Sequence, residues 1–329
     1  MRQKMKVFVL NTGGTLGMVG DPLRPAKSAE ELFEGINVPD GVKLKLADFE
    51  SRQDSTNILH SERVKMAKQI ESVYQDHDAF IILHGTDSLA ETTAAFCMIF
   101  KQSLQKPLFV IGAQMTKDES GSDVKMQIEN TLRTAEGFVS NKIVGIYTIC
   151  MGKILDGSRL TKRADSDFDA FHTPGRHPVA HAWPRIYFGE NLRKFDPVLS
   201  VQGLRLDTDF ATKVVTIKVS ADTPPNILTS LVEAKIIEGV ILECKGSGQV
   251  PNREWEFNQK KISWISAIKL ATDNNIHVAI ISPFEDGRVN LDRYQLGQLA
   301  KKAGAISLES LTPRRGKPQC LALGKDSDP

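Results

Sequence analysis

Hydroxyl, carboxylate and amine side chains recur in this chain where short apolar runs end. Thr12 follows Val7-Phe8-Val9-Leu10 and precedes Gly13-Gly14. His84-Gly85-Thr86-Asp87 follows the apolar run 80–83, and Lys162 lies in the polar stretch "SRLTKRADSDFDAF", residues 158–171. A threonine hydroxyl is a weak nucleophile near neutral pH and needs a base or a hydrogen-bonded relay. Asp87 and a lysine are available activators. His84, two positions from Thr86, is another, but a core hydrogen bond is the preferred reading for it. Taken singly, Thr12 and Thr86 read as turn or cap residues and Lys162 as part of a solvated loop. Ser88-Leu89-Ala90-Glu91 fits a capping box, so Ser88 is assigned a structural role. No GxGxxG, GxxxxGK[ST] or GxSxG occurs, which leaves nucleotide-binding and serine-hydrolase readings without support.

The elements that must position these groups follow from the apolar rhythm. Residues 7–10, 80–83, 108–111 and 143–150 are short, apolar and partly β-branched, which predicts strands buried on both faces. Between them, 88–104 and 125–140 carry helical spacing. Alternation of this kind predicts an α/β fold: a larger N-terminal domain with a mostly parallel sheet flanked by helices. Region 172–212, rich in proline and aromatics, reads as a β-ribbon or loop followed by a linker. Strands at 213–219, 239–248 and 277–284, with helices at 227–236, 259–274 and 292–303, predict a smaller C-terminal α/β domain. The expected boundaries are 1–190, a linker 191–212, and 213–329. Ligands of open α/β sheets bind beyond the carboxyl ends of the strands, where Asn11–Gly14, His84–Ser88, Gly112–Gln114 and Lys245–Gly248 fall.

The totals narrow the class further. The chain has 329 residues, 41% hydrophobic and 25% charged, with a formal net charge of +2. That balance calls for neither nucleic acid nor a membrane surface, and the cluster Arg314-Arg315 with Lys317 is too short to change it. Cys97, Cys150, Cys244 and Cys320 form no CxxC pair and read as reduced thiols rather than metal ligands. No signal-peptide pattern is present, and no apolar stretch approaches the ~18 residues of a membrane span. A cytoplasmic protein is expected.

Together these pieces resemble the bacterial-type L-asparaginase/glutaminase family, closest to its cytoplasmic type I branch. The resemblance rests on "TGGTLGM" at 12–18, "RQDSTNI" at 52–58, "LHGTDSLAETTAAF" at 83–96 and "GSRLTKRADSDFDAF" at 157–171, and it spans almost the whole chain. It implies an L-asparagine amidohydrolase that forms L-aspartate and ammonia through a threonine acyl-enzyme. Thr12 would be the nucleophile, and Thr86, Asp87 and Lys162 the second half of the catalytic group. Asp87 would also meet the substrate ammonium, and Ser55 and Thr56 its α-carboxylate, with Gly13 and Gly85 nearby. A backbone N–H near Thr86 and the segment at Ala113 would complete an oxyanion site. The resemblance further implies no metal or organic cofactor, L-asparagine or L-glutamine as small-molecule substrate, and a homodimer or homotetramer. Gly13 and Gly14 would let a mobile lid, 17–30, leave the strand.

The chain also departs from the family. It has no tyrosine between 17 and 30, the nearest being Tyr74; Val124 follows Asp123 where a glycine is usual; and Arg288 stands where secreted members carry an acidic residue. Two alternatives follow. One is an amino-acid-binding or regulatory paralogue with a weakened site, favoured by the missing tyrosine; the retained Lys162 favours an enzyme, with asparagine or glutamine as substrate. The other is a subunit acting on a tRNA-linked amide. Those relatives carry an extra N-terminal domain, for which a first motif at residue 12 leaves no room.

Overall fold

The apolar runs become the centre of an eight-stranded sheet. In this computed structural model the described residues are 4–309 apart from 22, 26, 27, 191 and 286. Pro22 of the expected lid, the Arg314, Arg315 and Lys317 cluster, and Cys320 lie outside them. The strand order is Tyr187–Phe188, Ala180–His181, Lys153–Asp156, Gly145–Cys150, Pro107–Ile111, Ala79–Leu83, Met5–Gly13 and Val42–Gln53. The last five pair in parallel, and the first three are antiparallel additions. The helices Leu89–Phe100 and Val124–Ser140 pack on the sheet, the latter sending Ile128, Leu132, Ala135 and Phe138 into the core.

The chain leaves Met5–Gly13 toward the edge strand Val42–Gln53, then crosses to Ala79–Leu83 on the other side. The carboxyl ends of Met5–Gly13 and Ala79–Leu83 therefore flank a topological switch point, where the connections diverge and open a crevice. The two threonine motifs sit at those ends.

Two compact units divide the chain, Met1–Thr208 and Asp209–Pro329. The second holds a parallel sheet in the order Val214–Lys218, Gly239–Glu243, His277–Ile281 and Ile306–Ser307. Its core gathers on Trp264, 1% exposed, with Val240, Ile268, Val278 and Ile280.

Several expectations change. The helix expected at 259–274 begins only at Trp264, capped by the Ser263 hydroxyl. Before it, Trp255–Phe257 and Lys260–Ile262 form a hairpin, turned by Asn258 and Gln259, both at positive φ. The expected linker contains a helix, Pro197–Val201, capped by Asp196. Ser88 begins its helix without a side-chain cap; its hydroxyl donates instead to the Ser55 carbonyl at 2.6 Å. In the segment after Gly14, Leu16, Gly17 and Val19 are buried, Met18–Val19 pairs with Arg24–Pro25, and the Gly20 N–H donates to Asp118 at 2.9 Å. Among the described residues no helix is long and apolar enough to cross a membrane, and no cluster of three metal-ligating side chains occurs.

Candidate active site

Three loops converge at the switch point: the end of the first strand, the 54–57 turn, and the loop after Leu83. Glycine makes the convergence possible. A Cβ on Gly13, at φ +97°, would lie 2.6 Å from the Gln53 carbonyl oxygen. A Cβ on Gly85 would lie 2.6 Å from Ser55 Oγ. Glycine at these positions thus answers close backbone approach as well as turn geometry. The Gly14 N–H donates to the Gln53 carbonyl at 3.1 Å, and the Gly13 N–H to buried Asn11 Oδ1 at 3.1 Å.

Ser55, 2% exposed, is held by Ser88, whose N–H donates to its Oγ at 3.3 Å. Asp54 caps the short turn by accepting from the Thr56 N–H at 2.8 Å. Thr56 Oγ1 then lies 3.5 Å from Asp87 Oδ2.

Thr86, Asp87 and Lys162 meet. The Lys162 ammonium donates to Thr86 Oγ1 at 3.0 Å and to Asp87 Oδ1 at 2.7 Å. Lys162 is not on a solvated loop. Thr161–Lys162 pairs with Phe171–His172 in a two-stranded ribbon, and the lysine side chain is 9% exposed against 59% for Asp87. The intervening loop is tied by Asp169, which pairs with Lys153 and, at 2.9 Å, with Arg163.

Thr12 is 1% exposed, and its hydroxyl donates to the Leu83 carbonyl at 2.8 Å. The contacts of its Oγ1 run to that strand end and not to the Lys162 cluster. Tyr74 does not replace the missing lid tyrosine: it stacks on Phe80 and its hydroxyl accepts from the Gln105 N–H at 2.8 Å.

Ala113 is buried and lines a small cavity with Thr86, Gln127 and Cys150. Its loop is fixed by Asp123, 4% exposed, which accepts from the Gln114 and Met115 N–H groups at 3.0 and 3.1 Å. In the sequence Asp123 stands out only for the Val124 that follows it where the family has glycine, and its hold on this loop is not legible there.

His84 does not reach Thr86. Its Nδ1 lies 2.7 Å from the Gly85 carbonyl oxygen and its Nε2 3.0 Å from Thr92 Oγ1. Burial pushes its pKa down to about 4, opposed by the Gly85 carbonyl and reinforced by Arg63. The ring is neutral at pH 7. Burial also raises the Cys150 thiol above its ordinary value, so that side chain is protonated beside the cavity rather than a nucleophile.

Two family models cover most of the chain. Residues 6–191 match the N-terminal asparaginase domain, and residues 213–322 match the glutaminase/asparaginase C-terminal domain. The chain belongs to the asparaginase family. It is thereby an enzyme of the amidohydrolase type. The chain is 28% identical to an L-asparaginase of Thermococcus kodakarensis, across 98% of this chain and 94% of that one. It is 27% identical to L-asparaginase 1 of Escherichia coli, across 94% and 89%. It is also 29% identical to a glutamyl-tRNA(Gln) amidotransferase polypeptide of Pyrococcus abyssi, across 94% of this asparaginase-family chain and 69% of that one. The solved structure of the thermostable Thermococcus kodakarensis L-asparaginase superposes with a TM-score of 0.84 at 26% identity, across 98% and 94% of the two chains.

Proposed function

We propose that this asparaginase-family enzyme hydrolyses the side-chain amide of L-asparagine, releasing L-aspartate and ammonia. The observation that carries the reading is the Lys162 ammonium within hydrogen-bond reach of both Thr86 Oγ1 and Asp87 Oδ1. A pure amino-acid binder has no need of a nearly buried lysine on a hydroxyl.

In this scheme Thr12 Oγ1 attacks the amide carbon. Its proton leaves the Leu83 carbonyl for Thr86 Oγ1 as Thr86 passes its own to Lys162 and Lys162 gives one to the amide nitrogen, so the C–N bond breaks, ammonia leaves and both relay groups end as they began. Water then attacks the acyl carbon, its proton passing through Thr86 to Thr12 Oγ1 as the ester bond breaks, which frees L-aspartate and restores the threonine. The exposed Asp87 carboxylate meets the substrate ammonium, while the Ser55–Thr56 turn receives the α-carboxylate. Backbone N–H groups at Thr86 and Ala113 face the developing oxyanion. The chain works without a metal, in the cytoplasm, as a homodimer or homotetramer, with domains 1–190 and 213–329 joined by 191–212.

One observation favours the second reading, a slow amino-acid-binding paralogue: the Thr12 hydroxyl is buried and hydrogen-bonded to a backbone carbonyl, not to a base. Ammonia release from asparagine and glutamine, measured over a concentration series, separates the two. Saturable release from asparagine supports the enzyme. Ligand binding without release supports the paralogue.

A further inference from the structure

His84 is fully buried just beyond Ala79–Leu83, and the hydrolytic scheme gives it no task. A carbonyl oxygen offers only lone pairs, so the Nδ1 that faces Gly85 carries the ring proton. At the other end, Thr92 Oγ1 accepts from Nε of Arg63 at 3.0 Å. A guanidinium cannot accept, so the Thr92 proton goes to His84 Nε2. Both ends of the ring therefore impose the same neutral tautomer. The backbone of His84 is pinned too, its N–H donating to the Ile111 carbonyl at 2.8 Å.

The consequence falls on the next peptide. The Gly85 carbonyl and the Thr86 N–H belong to one planar trans unit and point in opposite directions. Holding the carbonyl against the imidazole turns the Thr86 N–H away from it. Among the described residues, that N–H has no acceptor.

We propose that His84 is a positioning residue: through the Gly85–Thr86 peptide it aims the Thr86 N–H at the amide oxygen of the substrate, with Thr92 and Arg63 fixing its tautomer. The assignment rests on the hydrolytic reading above. His84 touches no reacting atom. A donor aimed at a forming oxyanion acts more strongly in the transition state than in the ground state, so misaiming it lowers kcat more than it changes KM.

The test uses two amides that each replace one ring nitrogen. Asparagine Nδ2 overlies imidazole Nδ1 and keeps the bond to Gly85; glutamine Nε2 reaches toward Thr92 and loses it. His84→Gln is expected to lose kcat on the order of 10- to 100-fold with KM within about threefold, and His84→Asn to restore at least about tenfold of that loss. Equal losses in two variants with parent-like circular dichroism overturn the proposal. If either variant folds poorly, 15N NMR of the parent decides alone. A neutral Nδ1–H imidazole at pH 7 is expected; an Nε2–H tautomer or an imidazolium overturns the proposal. A parent that releases no ammonia overturns the hydrolytic reading itself, a failure distinct from these because the tautomer is read without turnover.

Discussion

Gly14 and Gly85 meet backbone against backbone, seventy-one positions apart in the chain: a Cβ built on Gly14 would lie 2.2 Å from the Gly85 Cα. Gly14 also holds φ +73°, which L side chains rarely adopt. The contact joins the first threonine loop to the second. Gly14→Ala is therefore expected to destabilise the fold by at least ~2 kcal/mol, combining overpacking with a left-handed backbone. Urea unfolding checks this, and a midpoint equal to the parent's would mean that the loops separate at little cost.

Thr12→Ala removes the proposed nucleophile but leaves a small buried residue. The variant should fold normally and lose turnover on the order of 10³-fold or more. Near-parent ammonia release from a folded variant would move the chemistry elsewhere, with Thr86 the next candidate.

Lys162 and Asp87 pair at 2.7 Å yet should separate kinetically. Lys162→Met is expected to abolish turnover and keep aspartate binding, because the amine acts on the Thr86 hydroxyl. Asp87→Asn should weaken binding as well, because the carboxylate would face the ligand ammonium. Calorimetric titration with aspartate distinguishes them, and parent-like affinity in Asp87→Asn would remove that carboxylate from the substrate site.

The depressed His84 pKa gives a pH dependence of stability. The ordinary value is 6.5 and the folded value about 4, so between them the unfolded chain binds more protons and stability rises with pH. The contribution is complete above the ordinary value and is lost as pH falls toward the folded one, on the order of 3 kcal/mol in all. Urea unfolding at pH 4.5 and 7.5 should give a smaller pH difference in His84→Asn than in the parent. An unchanged difference would assign the acid sensitivity to other groups.

The sequence by itself determined the buried strands and the motifs at their ends. Runs such as Phe80–Leu83 are continuous and apolar because both faces of the sheet are covered, and that pattern is local. The edge strand Val42–Gln53 was not legible. It interleaves exposed Lys43 and Glu50 with half-buried residues, as a strand with one solvated flank does. The turn at Asn258–Gln259 was also missed, because neither residue is a glycine and the neighbouring lysines continue a helical pattern. For the candidate site, the residue types were legible and their partners were not. Lys162 finds Thr86 across seventy-six positions, and Arg63 reaches His84 through Thr92. Sheet order and the antiparallel ribbon decide those meetings. Spacing along a chain fixes which neighbours share a helix or strand face, whereas contacts between loops depend on which strands lie side by side.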